Sequence, residues 1–431
     1  MMKREQSDTL ILDPDKGQYL QRIRDVFKLN HRICKVNSIY LTTTHLVALL
    51  SFIAFAYAPD GFLMTMLVYL CSHILFAVIS TTGYAHRMVS HRATKSISAP
   101  VHLFFGYLGQ TLAVQGSVGE WAGRHRVHHA VDGNRRHADD PYSAIWFKTP
   151  WQNFLWSHVL CYFFKNPERD ALYEARTQAV LNQHRVIELQ HRWYLFFLII
   201  MIYAVPFLIG LLIGSTLWSG ICLVWMSVLA TVIIQNITWT VNSFTHLFGL
   251  RAARSSARNN YLWLLPMGEG NHHADHHDAP TDYRNGFGFL GWCLDPTRYV
   301  LLALRLVGLI GPLQKTPKSV ELRVLAERKM RRMKARYERH SILERWQPYE
   351  AKLSQLKQSI LERAKHLDAI KHERTRLLAH RSRLTRAQLR EQLDTLRVKL
   401  AHAKNELQFA YQSFRVELKG ARRALALPAR T

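Results

Sequence analysis

The feature that most constrains this chain is a set of four apolar stretches, each long enough to cross a lipid bilayer. A bilayer core of about 30 Å needs roughly 20 apolar residues in a helix. The stretches come in two pairs, and a short polar break separates the members of each pair. This pattern predicts an integral membrane protein with four transmembrane helices in two hairpins, at about 40–58, 61–79, 193–217 and 220–240.

The placement of Lys and Arg predicts the orientation of these helices. The two short breaks, near Asp60 and Ser219, contain neither residue, whereas both terminal regions and the long middle segment are rich in them. Cytoplasmic loops carry an excess of Lys and Arg. We therefore expect both termini and the middle segment on the cytoplasmic side. The first stretch lies behind charged residues and lacks a small-residue cleavage site, so we expect it to be retained.

Closely spaced histidines in the predicted cytoplasmic segments indicate a metal site. Imidazole is a ligand for iron, zinc, copper and nickel. Residues at i, i+3 and i+4 share one face of a helix, so each His-x-x-His-His box is expected to aim three rings at one region. Eight ligands exceed the roughly four of a zinc site, which favours two metals. The histidines are His86 and His91; His125, His128 and His129; and His273, His276 and His277.

The spacing of His86 and His91 leaves two interpretations open. On a regular helix, residues five apart are splayed by roughly 140°. The pair would therefore serve two metals, or the helix that carries it loosens at its end.

Two polar residues follow the fourth apolar stretch and extend the predicted site. Asn242 and His246 lie one helical turn apart at its cytoplasmic end. Polar groups at this depth need partners, which a metal or a bound water would supply. Asp139 and Asp140, after the second box, either orient ligand imidazoles or cap a turn before Pro141.

Together these motifs resemble those of the membrane fatty acid desaturases, specifically the acyl-CoA Δ9 (stearoyl-CoA) type. The resemblance covers about residues 25–310. The matching segments are 86–92, 121–129, 236–246, 268–270 and 282–284.

The resemblance implies an all-α fold, with four transmembrane helices under a cytosolic helical cap that holds a di-iron site. It further implies that nine histidines bind two iron ions and that Asn242 contacts one iron through a water. Trp121, Thr238 and Trp239 match residues that shape a bent acyl tunnel. The nine ligands would be His86, His91, His125, His128, His129, His246, His273, His276 and His277.

The third box departs from the family pattern by one additional residue. Alignment on Gly268–Gly270 would nominate His272, whereas alignment on the terminal His-His pair nominates His273. We expect His273, because only that residue completes the i, i+3, i+4 spacing.

The activity implied is the introduction of a cis double bond, at Δ9, into a saturated fatty acyl-CoA or acyl-lipid, with O2 and two electrons. No His-Pro-Gly-Gly haem motif occurs. We therefore expect a separate electron donor of the ferredoxin or cytochrome b5 type, with its reductase. The same absence, with the lack of an endoplasmic reticulum retention signal, favours a bacterial inner membrane over the endoplasmic reticulum.

Basic residues near the boxes are candidates for the head group of the substrate. Arg87, Arg92, Arg124 and Arg126 would meet an anionic group such as the CoA phosphates, or else lipid phosphates. We place Arg124 with the substrate-binding residues.

Three other functions share parts of the pattern. Membrane hydroxylases and alkane monooxygenases use the same three boxes. A ferritin-like site needs paired Glu-x-x-His motifs, which Glu188 and Glu269 could begin. A membrane metal-binding or transport protein would use histidines inside the spans, such as His45 and His73.

The chain after residue 312 has a different character. Residues 313–431 contain 30 Lys and Arg against 12 Asp and Glu, which is +18 of the formal +26 of the whole chain. Leucines at heptad-like spacing, divided at Pro348 and broken between Leu384 and Leu389, predict a helical hairpin or coiled coil capable of self-association. Arg363, in a seam position, weakens the coiled-coil interpretation.

The alternative is a basic arm for anionic lipids, or a dock for an acidic electron carrier. No motif predicts a nucleic-acid partner. The predicted domains are therefore an N-terminal cytosolic segment at 1–38, a membrane desaturase domain at 39–312 and a helical extension at 313–431.

Overall fold

The structure, a computed structural model, describes residues 32–131, 149–165, 167–252, 255–260 and 269–426. Most of these residues lie in helices, as the sequence predicted. Asp139 and Asp140 lie outside the described residues. The chain divides into two compact units, Met1–Lys315 and Thr316–Thr431. Strands occur as two short antiparallel pairs among the described residues, Arg32–Ile33 with Phe164–Lys165 and Leu250–Arg251 with Arg258–Asn259.

Four helices of the first unit are long and apolar enough to cross a membrane, which confirms the number of spans that the sequence predicted. The fourth helix is the most deeply buried of the four. Of the residues in its most apolar stretch, 61% are buried inside the protein, against 17–28% in the other three helices. From the first to the fourth span, the described helices are Lys35–Ala56, Leu63–Ser90, Tyr194–Gly214 and Leu217–Leu247.

Two of these spans extend well beyond the apolar stretches that predicted them. The second continues as a π-helix over Ser80–Ser90, and the fourth runs on to Leu247. Their polar side chains are accommodated by hydrogen bonds inside the protein. The hydroxyl groups of Thr82 and Thr297 lie 3.0 Å apart, and the Ser243 hydroxyl donates to the Trp239 carbonyl.

Shorter helices surround the ends of the second and fourth spans. Local sequence sets some of their ends: Pro296 begins a helix whose preceding residue, Asp295, accepts a hydrogen bond from the Arg298 amide. These helices are Ala99–Val101 continuing through His102–Gly109 and Gln110–Ala113, Val118–Val131, Pro150–His158, Leu160–Phe163, Pro167–Leu181, Arg185–Arg192, His273–Asp278, Gly288–Cys293 and Pro296–Leu306.

The second unit is a three-helix bundle. Its helices, named the first to third bundle helices, are Lys318–Arg339, Gln347–Ala379 and Arg386–Ala426. Short 3₁₀ turns connect them at Leu343–Trp346 and Arg381–Arg383.

Ion pairs fix the direction of the second bundle helix relative to its neighbours. It runs antiparallel to the third, through Lys352 with Glu417 and Arg363 with Glu406. It also runs antiparallel to the first, through Lys334 with Glu350 and Lys357 with Glu327. The predicted break in the leucine spacing is the turn before the third bundle helix.

Candidate metal centre

The predicted histidines converge in two neighbouring clusters in the first unit. Within each cluster, one ring nitrogen per histidine lies within 4.8 Å of all the others. The rings of His129 and His277 stack between the clusters, with centroids 4.1 Å apart. The first cluster contains His86, His91, His125, His129 and His276, and the second contains His128, His246, His273 and His277.

The π-helix explains how His86 and His91 meet. The His91 amide donates to the His86 carbonyl, which is the i→i+5 bond of a π-helix. A wider turn brings residues five apart towards one face. Both rings therefore belong to the first cluster, with centroids 4.9 Å apart. Of the two interpretations left open, the structure supports the loosened helix, with both rings in the same cluster.

The two His-x-x-His-His boxes are each divided between the clusters. In the box at 125–129, the histidines at i and i+4 join the first cluster, and His128 joins the second. In the box at 273–277, the division is reversed, so His276 joins the first cluster. The expectation that one box serves one region is wrong. On a helix, positions i+3 and i+4 point about 100° apart, enough to reach adjacent sites.

The structure brings His273, and not His272, into the second cluster. His273 Nε2 lies 2.9 Å from His246 Nε2. The helix begins at His273, and His272 precedes it with a non-helical conformation. The His272 ring points to the Leu290 carbonyl, at 3.2 Å.

The chemistry of these donors fits a metal. In the first cluster, Nε2 of His86 lies 2.9 Å from Nε2 of His276, and Nε2 of His91 lies 2.8 Å from Nε2 of His125. Two nitrogens so close can share at most one proton, so converging rings are most stable around a cation. Neither cluster includes a carboxylate or thiolate among the described residues. A purely imidazole set suits iron, copper, zinc or nickel and not magnesium or calcium.

Electrostatics keeps the first cluster ready for a cation. Burial, followed by the neighbouring imidazoles, lowers the pKa of several of its histidines well below the usual value. The rings are then neutral at pH 7 and offer a lone pair. The histidines concerned are His91, His125, His129 and His276.

A buried carboxylate fixes the orientation of His86. Glu269 Oε2 lies 3.1 Å from His86 Nδ1, which leaves Nε2 directed into the cluster. Burial alone would raise the pKa of Glu269, but Arg87 and His86 outweigh burial and lower this pKa to about 2. Asn285 donates a further hydrogen bond to the same carboxylate, at 2.9 Å.

Arg87 joins this carboxylate to a second one. Its guanidinium donates to Glu269 at 2.8 Å and to Asp295 at 2.7 Å, and its side chain is 1% exposed. The prediction that Arg87 meets an anionic head group is therefore wrong, because two internal carboxylates neutralise it. Sequence reasoning missed Asp295 and Asn285. The only signal for Asp295 was its place before a helix-starting proline.

The other predicted cations behave differently from one another. Arg126 donates to the carbonyls of Ser90 and Val89 at 2.9 and 2.8 Å, and its contact with an anionic head group stays a prediction. Arg124 lines a large cavity, and its guanidinium lies 5.9 Å from the ring centre of Tyr173.

That cavity, which we call the chamber, adjoins the first cluster. It has a volume of about 740 Å³, and His125 forms part of its wall. All four residues predicted to contact substrate line it, and so does Asn242, whose amide donates to the Tyr162 hydroxyl at 3.4 Å. The four are Trp121, Arg124, Thr238 and Trp239.

Gln115 ties opposite walls of the chamber together, and sequence reasoning missed it. Its carbonyl accepts from the Trp121 indole at 3.1 Å, and its amide donates to the Thr238 hydroxyl at 2.8 Å. Trp121 in turn stacks on His125, with ring centroids 4.9 Å apart. The position of the wall is thereby coupled to the position of a cluster histidine.

The histidines inside the spans have local roles. Asn236 lies 3.1 Å from Nε2 of His45, and the Leu112 carbonyl lies 3.1 Å from Nε2 of His73. Neither residue belongs to a metal-binding group among the described residues. The same is true of Glu188, so the ferritin-like arrangement is not formed.

Comparison with known proteins agrees with this geometry. The sequence model of the fatty acid desaturase family matches residues 60–287. Acyl-CoA desaturase 1 of Saccharomyces cerevisiae is 32% identical over 58% of this chain and 46% of its own length. Stearoyl-CoA desaturase 5 of Bos taurus is 32% identical over 57% of this chain and 70% of its own.

A relative named for a different substrate also matches. The sn-1 stearoyl-lipid 9-desaturase of Anabaena variabilis is 30% identical over 64% of this chain and 91% of its own length. The chain spans about half the length of the yeast relative. With four spans and these matches, this chain belongs to the fatty acid desaturase family and is an oxidoreductase that resembles the family's acyl-CoA Δ9 type.

Proposed function

We propose that this chain is a membrane di-iron desaturase that introduces a cis double bond, at Δ9, into a saturated fatty acyl-CoA. The observation that carries the proposal is the position of the chamber, whose wall includes a histidine of the first cluster. A flexible acyl chain can be oxidised at one bond only if the protein holds that bond beside the oxidant. The chamber is large enough to hold such a chain.

The two clusters would hold the irons, five histidines for one and four for the other. Asn242, one turn before His246, would reach the second iron through a water. When bound, the irons supply the oxidising power that unactivated C–H bonds require. The reaction removes two hydrogens from the acyl chain and reduces O2 to two waters. It therefore requires two further electrons and two protons. A separate electron donor of the ferredoxin or cytochrome b5 type would deliver these electrons.

The polar end of the substrate would lie where Arg124 borders the chamber. Arg124 and Arg192 line the chamber together with one carboxylate, Glu120, and this excess of cations would favour an anionic head group such as that of CoA. Arg124 also lines an adjoining polar pocket of about 430 Å³, whose lining includes Lys165 and the carboxylates Glu120, Asp170 and Glu174. Relatives named for acyl-CoA are consistent with this choice, and the Anabaena relative supports an acyl-lipid as the alternative.

The orientation that fits this proposal places the clusters in the cytoplasm. The second and fourth spans both end near cluster histidines, and alternate spans of a four-helix protein end on the same side. A bacterial inner membrane remains our preferred location.

The test is a fatty acid profile from a host that expresses the chain together with a matching reductase. We expect new cis-monounsaturated acids by gas chromatography–mass spectrometry, with derivatised fragments that place the bond at Δ9. His128→Ala should abolish them. His402→Ala, at a histidine exposed in the bundle, should not.

Other products would revise the proposal in defined ways. Hydroxylated acids would assign the chain to the hydroxylases. No new product from protein that is shown to contain two irons would reject the substrate class. Incubation of purified protein with stearoyl-CoA or with stearoyl-phospholipid, each with reductant, would then distinguish the two acyl donors.

A further inference from the structure

The third bundle helix presents a row of cations that the proposed function does not use. Between residues 397 and 423, six exposed basic side chains fall within a sector of about 100° on the helix. Within the part of the chain that the structure describes, none of them forms an ion pair with a carboxylate. They are Arg397, Lys404, Arg415, Lys419, Arg422 and Arg423.

The carboxylates of the same segment are held on the opposite flank. Glu406 pairs with Arg363, and Glu417 pairs with Lys352, both from the second bundle helix. The segregation of charge is therefore part of how the bundle is assembled. One flank is neutralised internally, and the other is left positive.

The first bundle helix adds to the positive flank. A groove of about 200 Å³ runs between the first and third bundle helices, with Met333 and Leu418 among its lining residues. The remaining residues that line it are all basic: Lys329, Arg332, Arg336, Lys419 and Arg422. We name the six cations and this groove the basic face.

Exposed apolar side chains border the basic face and indicate what kind of surface it contacts. Val398, Phe409 and Val416 are each 70% exposed. On the helix they lie within about 20° of one another and beside the edge of the cationic sector. Helices that lie in a membrane interface combine a basic face with apolar side chains at headgroup depth. An acidic soluble protein would require only the cations, and it would leave the exposed apolar side chains without a role.

We propose that the basic face binds the anionic phospholipid headgroups of a bilayer, with Phe409 and Val416 inserted between them. The chain that carries this face has four membrane-spanning helices, so the bundle is never free to diffuse away from a bilayer. Basic side chains within about 10 Å of an anionic leaflet are attracted to it, and salt screens the attraction.

Photo-crosslinking of the full chain tests the proposal. The chain would carry p-benzoylphenylalanine in place of Phe409 and be reconstituted in nanodiscs of phosphatidylcholine, with or without 30% phosphatidylglycerol. We expect phospholipid adducts, detected by mass spectrometry, in the anionic discs, and at least fivefold fewer in the neutral discs or in 0.5 M salt. The same probe in place of Gln358, exposed on the second bundle helix, should give few adducts in either disc.

Charge variants make the result specific. Arg415→Gln, Lys419→Gln and Arg422→Gln together should reduce the adducts at position 409 at least fivefold. The matched triple Lys365→Gln, Arg376→Gln and Arg381→Gln removes as much charge from exposed positions elsewhere and should not. Circular dichroism would confirm that both triples keep their helices.

Three outcomes would overturn the proposal. Adducts of equal yield at positions 409 and 358, or adducts insensitive to lipid charge and to the first triple, would show that the basic face does not bind headgroups. Cross-links between two copies of the chain, in place of lipid adducts, would assign the face to self-association. Cross-links at position 409 to an added acidic electron carrier, without lipid adducts, would assign it to protein docking.

Discussion

At the scale of single residues, Glu269 shows how a carboxylate outside the clusters controls a ring within them. It contacts His86 on one side and Arg87 on the other, and it is almost fully buried. The charge of Arg87 keeps Glu269 ionised, and ionised Glu269 accepts a hydrogen bond from the Nδ1–H of His86. The free nitrogen of His86 is therefore the one that faces the first cluster.

Replacement of Glu269 is expected to weaken metal binding. Glu269→Gln should lower iron affinity or desaturation by about 10–100-fold, which is typical when a partner of a metal-binding histidine is lost. Iron per chain, measured by mass spectrometry of the purified protein, checks this. Glu188→Gln, at an exposed carboxylate of the same unit, should retain its iron. Equal losses in both variants would contradict this role for Glu269.

The adjacent histidines of the third box provide a sharper comparison. His273→Ala should remove a ligand of the second cluster and reduce bound iron. His272→Ala should leave the iron content near that of the unmodified protein, because its ring contacts a backbone carbonyl instead. Iron loss in His272→Ala alone would show that the ligand assignment is reversed.

The sequence predicted which residues form the candidate site better than it predicted which residues they contact. Eight of the nine histidines lie in recognisable boxes, His246 follows the fourth apolar stretch, and all nine converge in the structure. The role of Arg87 was not predictable, because its partners Glu269 and Asp295 lie 182 and 208 residues away in the chain. Spacing reports neighbours within a helix, and it carries no information about contacts across the fold.

At the scale of elements, the π-helix at Ser80–Ser90 is the feature that local reasoning could not supply. A regular helix separates His86 from His91, and only the wider turn unites them. This segment packs closely against the helix that contains Gly109. A Cβ atom at Gly109 would overlap Ser80, with only 2.6 Å to Ser80 Cβ. The absence of a side chain at Gly109 allows the two helices to approach.

Gly109→Ala is therefore expected to destabilise the first unit. Overpacking of this kind typically reduces the free energy of unfolding by about 1–3 kcal/mol, and the shifted π-helix should bind less iron. Gly83→Ala is the matched control, since its Cβ would meet Thr297 at an ordinary 3.4 Å. Thermal unfolding in detergent measures both. An unchanged melting temperature for Gly109→Ala would show that the contact is easily relieved.

At the scale of the whole molecule, the chain joins two units with separate cores. Aromatic and aliphatic residues such as Trp346 and Phe414 fill the bundle, while a different set fills the first unit. The length of the apolar stretches predicted the four spans, because a helix needs about 20 apolar residues to cross a bilayer. It could not predict that the second span continues to Ser90, because those polar residues are buried by protein.

Removal of metal should affect only one of the two units. A ligand at 100 times its dissociation constant contributes about 2.7 kcal/mol to stability. A chelator should therefore lower the melting temperature of the first unit. The transition of the bundle, followed by calorimetry on the same full-length sample, should not move. A single transition that shifts as a whole would show that the two units unfold together.

The division of each His-x-x-His-His box between the clusters has a consequence for how the centre is filled. A cation in either cluster orders both box helices, and those helices carry the ligands of the other cluster. The free-energy cost of ordering these helices therefore falls on the first ion, and the second ion binds more tightly because the helices are already ordered. Loading should be close to all-or-none, with half-filled protein scarce at every metal concentration and a titration curve steeper than that of independent sites.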